Sequence, residues 1–145
     1  MGVLTVDGGQ EAEESMQEAG YSRPVVLVVE DFEDNRFMMR RLLEMSGYQV
    51  VEAVNGNQAV EMAEQESPDI ILMDLSLPML DGLAATRRIR ERNGAGAGRV
   101  PIVAVSAHDS ADFHAEALAA GCNEYVTKPI DFDQLVGLLD RLLKK

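Results

Sequence analysis

Short, unbroken apolar runs alternate along this chain with longer stretches in which apolar residues recur every three or four positions. The runs Val25 to Val29, Gln49 to Val54, Asp69 to Met73, Ile102 to Val105 and Asn123 to Thr127 predict strands. Runs so apolar suit strands covered on both faces, as in parallel sheets. Glu33 to Ser46 predicts a helix, with Met38, Leu42 and Met45 at i, i+4 and i+7, Met39 and Leu43 widening the stripe, and Gly47 closing it. Asn55-Gly56 reads as a turn, followed by a helix from Asn57 to Glu66 that Ser67-Pro68 stops. Asp81-Gly82 opens a third helix to about Arg92. Asp109 to Ala120 forms a fourth, closed by Gly121, and Asp131 caps a fifth that carries Leu135, Leu138, Leu139 and Leu142 on one face. Asn93 to Gly98 is too rich in glycine for a helix and reads as a loop. The alternation is (βα) five times over, an α/β chain whose parallel sheet takes right-handed crossovers and helices on both faces.

Composition narrows the class. With 145 residues, 46% of them hydrophobic and 26% charged, the chain has the length and balance of one soluble domain. Residues 1–22, with the acidic run Asp7 to Glu14, carry too little apolar surface to fold alone and read as a disordered or weakly helical extension, leaving residues 23–145 as the domain. A net charge of -12 repels nucleic-acid phosphates and anionic lipid and favours proteins or cations as partners. The apolar runs are too short to span a bilayer, no signal peptide is visible, and the single Cys122 suits a reducing, cytoplasmic setting. Cys122 itself reads as a small buried hydrophobe.

The polar residues that end the strands carry the chemistry. Glu30 and Asp31 follow the first strand, Asp74 the third, Ser106 the fourth, and Lys128, then Pro129, the fifth. Ligand sites in open α/β sheets lie outside the carboxyl ends of the strands, so these groups share one rim. Clustered carboxylates repel unless a positive charge intervenes. Lys128 compensates one, and the remainder suits a hard divalent cation, Mg²⁺ above all, which takes one or two carboxylates, waters and a phosphate oxygen. A carboxylate beside Mg²⁺, a lysine and a serine can act as a nucleophile on phosphorus, giving an aspartyl phosphate at Asp74.

In order along the chain stand Glu30-Asp31, Asp74 with Pro78 and Gly82 beyond it, Ser106-Ala107, and Tyr125-Val126-Thr127-Lys128-Pro129. Together these marks make residues from about Pro24 to Lys145 resemble the CheY-like receiver domain of two-component response regulators. The resemblance implies a flavodoxin-like sheet of order 2-1-3-4-5. It implies that Asp74 is the phosphoacceptor, that Asp31 is a direct Mg²⁺ ligand and Glu30 an acidic partner acting through water, and that the backbone carbonyl of Ser76 is a further ligand. It implies that Lys128 pairs with the acceptor and then with its phosphoryl group, that Ser106 moves to the phosphate, that Tyr125 turns inward with it, and that the Lys128–Pro129 bond is cis. Glu30, one carbon longer than aspartate, and the loop at 94–98 depart from the usual pattern.

These expectations describe a phosphorylation-activated binding module rather than an enzyme with a separate substrate. A histidine kinase or histidine phosphotransfer protein would donate to Asp74, and the face of helix 4, strand 5 and helix 5 would then change its affinity for a downstream protein, with no output domain, nucleic acid or membrane involved. Two other classes stand beside it. A phosphatase of the haloacid-dehalogenase type would carry an aspartate two residues after its nucleophile, where this chain has Ser76. A receiver-shaped scaffold would have lost an acidic residue or the lysine, which are all present. His108 and Ser76 stand where similar domains can tune dephosphorylation, and a solvent-facing residue with no special role fits these positions equally well. His114 reads as surface, the methionines of the first helix as core filler, and Arg87, Arg88, Arg90 and Arg92 as a solvated face.

Overall fold

A computed structural model describes residues 23–77, 81–92 and 99–143. The expectations for residues 1–22, Pro78 and the loop at 94–98 lie outside them. The elements are β1 (Val25–Val29), α1 (Glu33–Met45), β2 (Gln49–Ala53), α2 (Gly56–Gln65), β3 (Ile70–Asp74), α3 (Gly82–Glu91), β4 (Ile102–Ser106), α4 (Ala111–Ala120), β5 (Glu124–Thr127) and α5 (Phe132–Leu143). All strand pairs are parallel, and the sheet runs β2-β1-β3-β4-β5, as the resemblance implies.

Alternation along the strands divides the core in two. Leu27, Val29, Ile71, Met73, Ile102 and Ala104 point to the face covered by α2, α3 and α4, whose Ala59, Ala63, Ala85 and Ala117 let helices pack close to the sheet. Val26, Val28, Ile70, Leu72 and Val103 point to the other face, under Met39 and Leu43 of α1 and Leu135 and Leu139 of α5. Burying each large aliphatic side chain contributes about 1.5–3 kcal/mol. β3 is buried at every position, so its last residue, Asp74, stands in the middle of the sheet's carboxyl edge.

The first helix sits one residue out of the expected phase. Met39 and Leu43 are its buried residues, whereas Met38 is 54% and Met45 75% exposed. Those two methionines are therefore surface, not core filler. Asn55 begins α2 as its cap rather than forming a turn: its side chain accepts from Gln58 N, and Gln58 Oε1 accepts from Val54 N. α4 likewise starts two residues later than expected, with Ser110 accepting from Phe113 N. Asp131 does cap α5, through Gln134 N.

Among the arginines of α3, Arg87 and Arg88 are exposed, but Arg90 is not a solvated residue. Its guanidinium donates to the carbonyls of Gly121 (2.9 and 2.7 Å) and Val100 (2.6 Å) and to Asn123 Oδ1 (2.8 Å), tying α3 to the chain on either side of β4. Burial pulls its pKa below the ordinary guanidinium value. Cys122 is buried as expected, its thiol pushed up by burial.

Candidate functional site

The site is made where four strands, β1, β3, β4 and β5, end together. β1 stops at Val29, yet the Glu30 backbone N–H still donates to Ala53 O of β2 (3.1 Å), so Glu30 remains in the sheet edge and is only 4% exposed. Asp74 closes β3 and is equally buried at 4%. Asp31 lies just outside the edge and is exposed. One carboxylate oxygen from each of Glu30, Asp31 and Asp74 falls within 4.8 Å of the others.

Hydrogen bonds fix the two buried carboxylates. Asp74 Oδ1 accepts from Ser76 N at 2.9 Å, and its Oδ2 faces Lys128 Nζ at 3.4 Å. Glu30 Oε2 accepts from Phe32 N at 3.1 Å, and its Oε1 lies 3.8 Å from the same ammonium. Phe32 is the N-cap of α1 and makes no side-chain cap of its own, so Glu30, not Asp31, meets an amide at the start of that helix. Lys128 thus stands between two buried carboxylates, closer to Asp74. Burial pushes the Glu30 carboxyl above its ordinary value; the charges of Asp74 and Asp31 add to this, while the Phe32 N–H and Lys128 oppose it. Two nearly buried carboxylates, a third beside them and one ammonium leave negative charge and oxygen ligands in surplus. That donor set fits Mg²⁺.

Lys128 is aimed by the edge of β5. Its N–H donates to Ser106 O (2.8 Å), and the Lys128–Pro129 peptide is cis, as the resemblance implies. Gly82 shapes the opposite wall. A Cβ there would lie 2.3 Å from the Asp74 carbonyl oxygen and 2.7 Å from Leu75 Cα, so only glycine lets the start of α3 close against the end of β3.

Ser106 ends β4 and is 1% exposed; its Oγ accepts from His108 N at 3.0 Å. Tyr125 of β5 is half-buried, and its hydroxyl donates to the His108 carbonyl at 2.8 Å. Ser106 and Tyr125 therefore hold the two backbone polar groups of one residue, His108. The exposed His108 ring stacks on Phe113. His114, expected to be plain surface, stacks on Tyr125 at 3.9 Å and lies 3.3 Å from Asp109. Ser76 is exposed beside Asp74.

Two features of this rim escaped the sequence. Arg36 of α1 donates to the Glu30 carbonyl (3.1 Å) and to Glu52 of β2 (3.2 Å), with no local spacing to announce it. A cavity of about 310 Å³ opens beside Glu30 and Lys128, lined by Met38, Met39, Leu42, Ile130 and Phe132.

Comparison with known proteins gives the same picture. The response regulator receiver domain family matches residues 26–140. The transcriptional regulatory protein PrrA of Mycobacterium tuberculosis is 34% identical over 128 residues, covering 88% of this chain and 53% of PrrA, so the chain spans about half the length of that relative. Protein PilH of Pseudomonas aeruginosa is 32% identical over 118 residues, 81% of this chain and 96% of PilH. Among solved structures, the receiver domain of the sensor histidine kinase PA1611 from Pseudomonas aeruginosa superposes with a TM-score of 0.77 at 38% identity, covering 84% of this chain and 98% of that one; it holds a magnesium ion coordinated in its active-site cleft. The chain belongs to the response regulator receiver domain family of two-component systems.

Proposed function

We propose that this receiver domain takes a phosphoryl group on Asp74 from a histidine kinase or histidine phosphotransfer protein, in a reaction that requires Mg²⁺. The observation that carries this is the buried Asp74 carboxylate, held by Ser76 N and Lys128 and joined by Glu30 and Asp31. Asp31, Asp74 and the Ser76 carbonyl would hold the cation, with Glu30 acting alongside them. Bound there, Mg²⁺ supplies positive charge for the phosphoryl oxygens.

The protein's own groups do the rest. The Ser76 N–H holds one Asp74 oxygen, which orients the carboxylate for in-line attack on phosphorus. The new O–P bond forms as the donor's N–P bond breaks, and the imidazole leaves with the electron pair. Lys128, 3.4 Å from Asp74 Oδ2, offsets the charge that gathers on the transferred group. Ser106 then leaves the His108 amide for a phosphoryl oxygen. Because Tyr125 holds the carbonyl of the same residue, its packing against α4 shifts too, and the face of α4, β5 and α5 changes its affinity for a downstream protein. The donor docks over the exposed Met38 in the first half of α1, which lines the cavity beside Glu30 and Lys128.

The test is the intact mass after incubation with Mg²⁺ and acetyl phosphate. One phosphoryl adduct is expected in the wild type and none in Asp74→Asn or after chelation. An unmodified wild type would overturn the proposal.

A further inference from the structure

The turn from β1 into α1 carries Glu30 and Asp31, and its fixing is unusual. The N-cap Phe32 offers no side-chain bond, and the carbonyl of buried Glu30, one residue past the end of β1, accepts no backbone N–H among the described residues. A buried carbonyl without a partner costs about 1–3 kcal/mol. Arg36, one turn into the helix, reaches back to it with NH1 at 3.1 Å. The same guanidinium is anchored by Nε to Glu52 Oε1 at 3.2 Å, and Glu52 Oε2 is held in turn by Arg40 at 3.0 Å. Arg36 is only 15% exposed, so this is a packed contact rather than a loose surface pair.

From this geometry we infer that Arg36 is a positioning residue for the divalent-cation site. It clamps the backbone of Glu30 to β2 and so sets where the Glu30 and Asp31 carboxylates stand relative to Asp74. Two opposite effects can be separated by sign. As a plain positive charge near the carboxylates, Arg36 would weaken cation binding, and its removal would tighten it. As a clamp, its removal loosens two of the three carboxylates and weakens binding. Glu52 neutralises the guanidinium at close range, which favours the clamp. Only the planar fork of arginine reaches the Glu30 carbonyl and the Glu52 carboxylate together; lysine keeps the charge and can meet one of them.

The inference rests on the cation reading proposed above, and one titration separates the two. Mg²⁺ is titrated into the full chain by calorimetry, with thermal unfolding followed by circular dichroism as the check on folding. In Arg36→Ala the Kd for Mg²⁺ is expected to rise about tenfold, and in Arg36→Lys about threefold, a partial rescue. Arg41→Ala removes the same charge from an exposed residue of α1 that touches the Phe37 ring, and is expected to leave the Kd unchanged or slightly lower. If Arg36→Ala does not fold, Arg36→Lys decides. A folded Arg36 variant that binds Mg²⁺ as tightly as the wild type, or more tightly, overturns the clamp while leaving the cation site standing, even if its Tm falls. A wild type that binds no Mg²⁺ overturns the cation reading and the clamp with it.

Discussion

Glu30 is a carboxylate that the fold has taken almost wholly out of water beside another, Asp74. Its pKa is raised, chiefly by burial. A carboxyl that binds its proton more tightly when folded favours the folded state at low pH, and that contribution is lost as pH rises through the folded pKa. At neutral pH, without a divalent cation, the ionised Glu30 therefore works against the fold. Glu30→Gln keeps an oxygen to accept from Phe32 N and removes the charge. We predict that in chelator at pH 7 this variant melts a few degrees above the wild type. The gap closes as pH falls toward the ordinary carboxylate range, where Glu30 takes up its proton. Thermal unfolding across pH checks this; a lower Tm at pH 7 would contradict it. Most of the site's residues could be read from the sequence because each follows an apolar strand run. Arg36, Arg90 and His114 could not be assigned, because their partners, Glu30 and Glu52, Gly121 and Val100, and Tyr125, are set by packing rather than by local spacing.

Among the elements, α3 and α1 serve the site in different ways. The start of α3 closes on the end of β3 only because Gly82 lacks a Cβ. The neighbours it would strike are backbone atoms of Asp74 and Leu75, which cannot swing aside as a flexible side chain could. We predict that Gly82→Ala destabilises the domain by about 1–3 kcal/mol, the range for overpacking, measured by urea unfolding, and slows modification by acetyl phosphate as the Asp74 carbonyl shifts. The α1 helix shows why amphipathic phase is hard to read. Phe37, Met38, Met39, Leu42, Leu43 and Met45 form an apolar band too wide for one face, and spacing alone fits either edge of it to the sheet. The structure buries the Met39–Leu43 edge and leaves Phe37, Met38 and Met45 in solvent, with Met38 lining the cavity beside Glu30 and Lys128. If that edge docks the phosphodonor protein, Met38→Asp should slow transfer from a phosphorylated histidine protein roughly tenfold, about 1.4 kcal/mol of lost contact, and leave the acetyl phosphate reaction unchanged. Equal slowing with both donors would show damage to the site instead.

For the molecule as a whole, the parallel sheet does the assembling. Residues at positions 30, 31, 74, 106 and 128 meet because β1, β3, β4 and β5 lie side by side and run the same way. That convergence was legible before any coordinates, since (βα) alternation allows little else. What the sequence could not supply was distance: Lys128 at 3.4 Å from Asp74, three carboxylate oxygens within 4.8 Å, and Ser106 and Tyr125 joined through the backbone of His108. The whole chain's net charge of -12 disfavours contact with polyanions. The central claim is that Asp74, among the chain's 25 carboxylate side chains, is the acceptor. Borohydride reduction after acetyl phosphate and Mg²⁺ treatment, followed by peptide mass mapping, tests it most directly, because it converts an aspartyl phosphate to homoserine in place. Homoserine is expected at position 74 and nowhere else; homoserine at another aspartate, with Asp74 unchanged, would place the phosphoryl group elsewhere.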